Sequence, residues 1–138
     1  MNIKRWVLAG MAAWLVITGL DFIIHHKLLM GLYEQTASVW RPKGQGRPVM
    51  WLMFVGQLIF GLGLAWFYTK GYESGKPGLG QGLRFGFYAG VFLAAAKNFI
   101  WYVVLPIPFI LNLAWLGSAF LDCLVAGAVV GLIYKEQS

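Results

Sequence analysis

Residues 109–134 read FILNLAWLGSAFLDCLVAGAVVGLIY, and this run decides the fold. It holds no Lys, Arg, Glu or Pro and a single acid, Asp122. An α-helix rises 1.5 Å per residue, so about 20 mostly apolar residues cross the roughly 30 Å hydrocarbon layer of a bilayer. This run exceeds that length. Its small residues Ala119, Cys123, Gly127 and Gly131 recur at four-residue spacing, forming a ridge along which another backbone can approach closely.

Three further runs of this kind precede it, at about Trp6–Ile24, Met50–Tyr68 and Leu83–Leu105. The fold class read from this pattern is all-α: an integral-membrane four-helix transmembrane bundle, one domain over residues 1–138. Composition agrees. Of the 138 residues 59% are hydrophobic and 12% charged, with a mean hydropathy of +0.68. A soluble domain is nearer 25% charged, so a soluble enzyme, a disordered tail and a disulfide-stapled secreted module are all poor fits. Cys123 is the one cysteine and has no internal partner. The net charge of +6 lies outside the apolar runs and is read as topology information rather than as a nucleic-acid footprint.

The breaks between the runs have mechanisms. Residues 34–49 hold two prolines, two glycines and three basic side chains. Residues 70–82 are rich in glycine and read as a flexible loop. Pro106-Ile107-Pro108 cannot continue a helix, because each proline lacks an N–H and pushes its predecessor out of the α region. Lys4 and Arg5 ahead of an apolar run resemble the start of a signal peptide, but Asp21 and the length of the run point to a retained helix. With four spans both termini share a side. That side carries Lys4, Arg5, Lys70, Lys76, Arg84 and Lys135; the other carries Lys27, Arg41, Lys43 and Arg47. The bias of basic residues predicts cytoplasmic termini. Trp6, Trp40, Trp51, Trp66, Tyr33, Tyr68, Tyr72 and Tyr134 fall near span ends, as interfacial aromatic belts do.

Polar residues within the spans are few. Counting the helix rise from the terminal side places Asp21 about 22 Å up, Lys97 about 20 Å, Asn98 about 21 Å, and Gln57 and Asp122 about 18 Å. One buried polar layer of Asp21, Gln57, Lys97, Asn98 and Asp122 is expected, with Lys97 between the two aspartates as an ion-paired cluster. Charged groups left facing lipid would cost about 2.5–3.5 kcal/mol each. The third span adds a second small-residue ridge of Gly82, Gly86, Gly90 and Ala94. The short Pro-Ile-Pro turn makes it the antiparallel neighbour of the fourth, so ridge against ridge is the expected packing. Gly56, Gly61 and Gly63 give a fainter signal in the second span.

Asp21 and His25 share a helix face, an arrangement that can orient a general base or supply two metal ligands. With His26 alongside and only Glu34 within reach as a third, His25 and His26 remain weak metal candidates; neither a metal nor another cofactor is expected. Cys123 reads as a packing residue, and Gly78–Gly82 as a loop without the Gly-Lys-Ser/Thr ending of a phosphate loop. No catalytic grouping is evident, and no enzyme activity is expected.

Leu20-Asp21-Phe22-Ile23 closing the first span, Tyr33, the Trp40-Arg41-Pro42 loop, and Asp122 in a last span ending Gly131-Leu132-Ile133-Tyr134-Lys135 resemble the uncharacterised bacterial families of small four-helix inner-membrane proteins. The resemblance covers the layout of the whole chain and implies no activity. Two functions are therefore expected in order. The first is a non-catalytic subunit or scaffold, touching lipid and assembling with itself or a larger membrane complex through glycine-ridge packing. The second is a small oligomeric transporter or channel using Asp21, Lys97 and Asp122. No nucleic-acid partner is expected.

Overall fold

The computed structural model describes residues 1–136. Its helices are α1 (Ile3–Ile23), α2 (Met30–Gln35), α3 (Trp51–Lys70), α4 (Gly78–Gly90), α5 (Ala96–Val104) and α6 (Phe109–Ile133). π-helical turns at Ile24–Leu28 and Val91–Ala95 extend α1 and join α4 to α5. The chain thus has four helices long and apolar enough to cross a membrane: Ile3–Leu28, Arg47–Lys70, Gly78–Val104 and Phe109–Ile133. Among the described residues there is no strand.

α6 is the centre of the assembly. It packs on α4, on α1 and more lightly on α3, while α1 packs on α3. The α1–α3 seam is close. Ala9 and Ala13 are fully buried, and a Cβ on Gly61 would stand 2.7 Å from the Gly10 carbonyl oxygen. Trp6 Nε1 donates to the Leu62 carbonyl across this seam at 3.0 Å. The array does not close into a ring: among the described residues α3 shares no packed seam with the third long helix.

Two apolar clusters sit at opposite ends. One joins Ala9, Ala13, Ile17, Leu64, Ala65, Tyr68, Ala126, Val130 and Tyr134 near the chain ends. The other joins Leu29, Ile107 and Leu111 beneath Tyr33, Trp40 and Trp115. The outer surface is apolar, with Val103 86% and Phe92 76% exposed. A water-soluble globule rarely presents so continuous an apolar exterior.

The chain ends meet on one side, as an even number of spans requires. The Met1 ammonium lies 2.8 Å from Glu136 Oε1, and Asn2 N donates to Tyr134 Oη at 3.3 Å. Asn2 also caps α1, its side-chain oxygen accepting from Arg5 N.

The glycine-rich stretch differs from its expected form. The third long helix begins at Gly78 rather than Leu83, so Gly78–Gly82 is helical and not a flexible loop. Tertiary contact overrides the poor helix propensity of glycine here, because Gly78 and Gly82 lie against Gly131 and Gly127. The loop left between residues 71 and 77 is pinned by Gln81. Its Oε1 accepts from Glu73 N at 2.8 Å, and its Nε2 donates to the Glu73 and Lys76 carbonyls at 3.0 Å each.

Candidate functional site

The small residues of the third long helix and of α6 lie against each other. Gly82 faces Gly127 and Gly131, Gly86 faces the Cys123 carbonyl and Leu124, and Gly90 faces the Phe120 ring and Cys123. A Cβ at Gly82 or Gly86 would run into backbone, so both positions depend on having no side chain. Ala94 and Ala119, the far ends of the ridges, no longer form a tight seam; both line a cavity.

That cavity, of about 820 Å³, lies between the two apolar clusters. Each long helix contributes one face to it: Ile17, Asp21 and His25 from the first, Gly56, Gln57 and Phe60 from α3, Leu93, Lys97, Asn98 and Trp101 from the third, and Trp115, Ser118 and Asp122 from α6. Its mouth is the gap between α3 and the third long helix. There Gly56 has open space beside it, and Leu93, Lys97 and Trp101 are exposed.

The π turn at Val91–Ala95 explains how one helix serves both seam and cavity. A π turn carries an extra residue relative to an α turn and so rotates the helix beyond it. Before it, Gly82, Gly86 and Gly90 face α6; after it, Lys97, Asn98 and Trp101 face the cavity.

All five members of the expected polar layer line this one space, but their bonding differs from the expected cluster. Gln57 Nε2 donates to Asp21 Oδ2 at 2.6 Å, and Gln57 Oε1 accepts from Thr18 Oγ1 at 3.1 Å. Asp122 is the neighbour of Asp21, so two carboxyl groups adjoin. Asn98 is buried and turns its Nδ2 back to the Ala94 carbonyl at 2.8 Å. Lys97 is the correction. It is exposed at the mouth rather than buried, and among the described residues it ion-pairs with neither aspartate. Its position two residues beyond the π turn carries its stem to the rim, where a long side chain can reach a polar boundary.

At the far end Tyr33 Oη joins two helices. It accepts from Trp115 Nε1 at 2.7 Å and lies 2.5 Å from His25 Nδ1. His25 Nε2, the other ring nitrogen, lies 3.6 Å from Asp21 Oδ1. Burial pushes the Tyr33 hydroxyl above the ordinary tyrosine value, so it keeps its proton. Trp40 covers this group, its ring 5.4 Å from Tyr33 and 5.7 Å from Trp115, and donates to Thr36 Oγ1 at 2.9 Å. His26 stands apart, 5.0 Å from the Phe22 ring. Among the described residues no three His, Cys, Asp or Glu side chains converge as a metal set.

Two groups in the cavity have unmet bonding capacity. Asp122 and Ser118 are each 7% exposed, and Asp122 Oδ1 and Ser118 Oγ have no hydrogen-bond partner. Sequence reasoning does not single out Trp101 and Trp115 as cavity walls. The signal is nonetheless there: Trp115, Ser118 and Asp122 recur at three- and four-residue steps on one face, as do Lys97 and Trp101.

Comparison with protein-family models, curated proteins and solved structures found no match for this chain.

Proposed function

We propose that the chain is an integral membrane protein of four spans that takes a small polar solute into the cavity between them, acting as a small transporter. The observation that carries this reading is the pair of buried, unpartnered groups, Asp122 Oδ1 and Ser118 Oγ, lining a cavity of about 820 Å³. Polar groups surrounded by hydrocarbon must be satisfied from within, and intramembrane ionisable residues mark binding and transport paths by default. The basic-residue bias supports termini on the cytoplasmic side of a bacterial inner membrane. The alternative, a scaffold or subunit built on glycine-ridge association, loses its main support, because both ridges are occupied by each other within the chain.

The test is ligand-induced stabilisation of the purified protein in detergent, scanned over inorganic ions, amines, carboxylates and zwitterions. A ligand that binds the folded state raises Tm, and stability grows as RT ln(1 + L/Kd) at free ligand concentration L. At least one solute should do so for the parent and not for Asp122→Leu, which places an apolar group in the cavity. Absence of any shift, together with recovery of a fixed stoichiometric complex with another membrane protein, would overturn transport in favour of the subunit reading.

A further inference from the structure

We infer that the cavity ligand is a zwitterion, its ammonium group seated against Asp122 and Ser118 and its anionic group, phosphate or carboxylate, against Lys97. This rests on the solute-binding reading above and goes further by naming the chemistry. Three features carry it. The deep wall is acidic: Asp122 and Asp21 adjoin there, and only Asp21 has its charge met by a near donor, Gln57 at 2.6 Å. Ser118 and Asp122, both nine-tenths buried, line the same space, and each has a side-chain oxygen without a partner. The mouth is basic: Lys97 lines the cavity and is bonded to neither carboxylate, so opposite charges face one space without neutralising each other.

A simple cation would satisfy the deep wall and meet Lys97 as a like charge. A simple anion would satisfy Lys97 and meet the carboxyl pair, which carries at least the Asp21 charge. A molecule with an ammonium at one end and an anion at the other complements both, and each wrong half is opposed by the other wall. The walls between are aromatic and apolar, with Phe60, Trp101 and Trp115 suited to the short hydrocarbon link and to the face of an ammonium. The polarity is also fixed: ammonium inward, anion at the gap between α3 and the third long helix. An aminophospholipid headgroup would enter this way with its chains left outside, and a free aminoalkyl phosphate or amino acid carries the same chemistry.

The experiment uses the full chain in detergent, with binding followed by Tm. The probes are O-phosphoethanolamine, ethanolamine alone and inorganic phosphate alone. O-phosphoethanolamine should stabilise the protein at concentrations where neither fragment does. Asp122→Asn should weaken it by roughly tenfold or more, as loss of one partner in a desolvated charge pair does, and Lys97→Gln, at the exposed rim, by about two- to fivefold. Lys97 is exposed and unpaired, so the unliganded Lys97→Gln protein should melt like the parent, which keeps this arm readable if Asp122→Asn folds poorly. A parallel arm measures retention of phosphatidylethanolamine against phosphatidylglycerol by native mass spectrometry. Selective retention lost in Lys97→Gln identifies the lipid headgroup as the source; stabilisation by the soluble probe without lipid retention identifies a free zwitterion. If ethanolamine alone does as well, or Lys97→Gln binds like the parent, the zwitterion assignment is wrong while solute binding stands. If no solute of any class and no lipid binds, the solute-binding reading itself falls.

Discussion

The α4–α6 seam and the cavity beyond it are built from the same pair of long helices, and they could hardly be more different. In the seam, glycine faces glycine and the backbones touch with nothing between them. One π turn later the same helices part around aspartate, asparagine, lysine and tryptophan. Small residues alone bring helices together by dispersion and close backbone contact. Large polar residues at the same spacing hold them apart and leave valences open. The seam is therefore where substitution should harm folding, and the cavity is where it should harm binding.

The largest effect is expected in the seam. Gly82→Ala and Gly86→Ala each drive a methyl group into backbone that cannot move aside, at about 1–3 kcal/mol or more for overpacking. Gly90→Ala meets the Phe120 ring, which can turn, and should lie at the low end of that range. Gly63→Ala, with open space beside it, should be neutral or mildly stabilising through helix propensity. Thermal melts in detergent check the order; equal melting of all four variants would mean the seam does not hold the fold.

Next is the cavity's hydrogen-bonded side. Asp21→Ala strands the Gln57 amide and should cost about 1–3 kcal/mol, whereas Lys97→Met should leave stability close to the parent because no ion pair is broken. That contrast reverses what a buried Asp–Lys cluster would give, and the two melts decide it. Tyr33→Phe comes third. It removes the acceptor for Trp115 Nε1 and the partner of His25, at about 1 kcal/mol for the bonds lost. Faster amide exchange confined to residues 29–40 and the start of α6 is the expected signature.

The smallest effect lies at the loop. Lys76, with Arg84 beside it, holds the Glu73 carboxyl below the ordinary glutamate range. The unfolded carboxylate therefore takes up a proton at higher pH than the folded one. Its contribution is complete above the ordinary value and is lost as pH falls through the lowered folded value. Glu73 is exposed, so solvent screening keeps the contribution slight. Glu73→Gln should flatten the acid dependence of exchange at residues 71–77 and change little else.

Much of this is legible in the sequence because membrane helices announce themselves by length and hydropathy, and because a four-residue glycine spacing has one structural use. Arithmetic on helix rise alone places Asp21, Gln57, Asn98 and Asp122 at a common depth. Direction is what escapes it. A regular helix would give Lys97 a different facing from the one it has beyond the π turn. The π turn at Val91–Ala95 has no glycine or proline to mark it, so the rotation it imposes leaves no trace in residue type. Likewise Gly78–Gly82 looks like a loop by propensity and becomes helical only because α6 presents glycines opposite.

The π turn also makes the chain's length, and not only its composition, a carrier of function. A deletion within Val91–Ala95 lets the turn relax to an α-helix and keeps the downstream faces, whereas inserting one residue between Ala95 and Ala96 rotates everything after it by about 100°. The seam upstream would be unchanged and the outer surface would remain oily, so such a chain would still fold and insert. Lys97, Asn98 and Trp101 would instead face outward. A single-codon insertion there would thus silence the cavity more completely than any substitution, while leaving a protein of nearly ordinary stability.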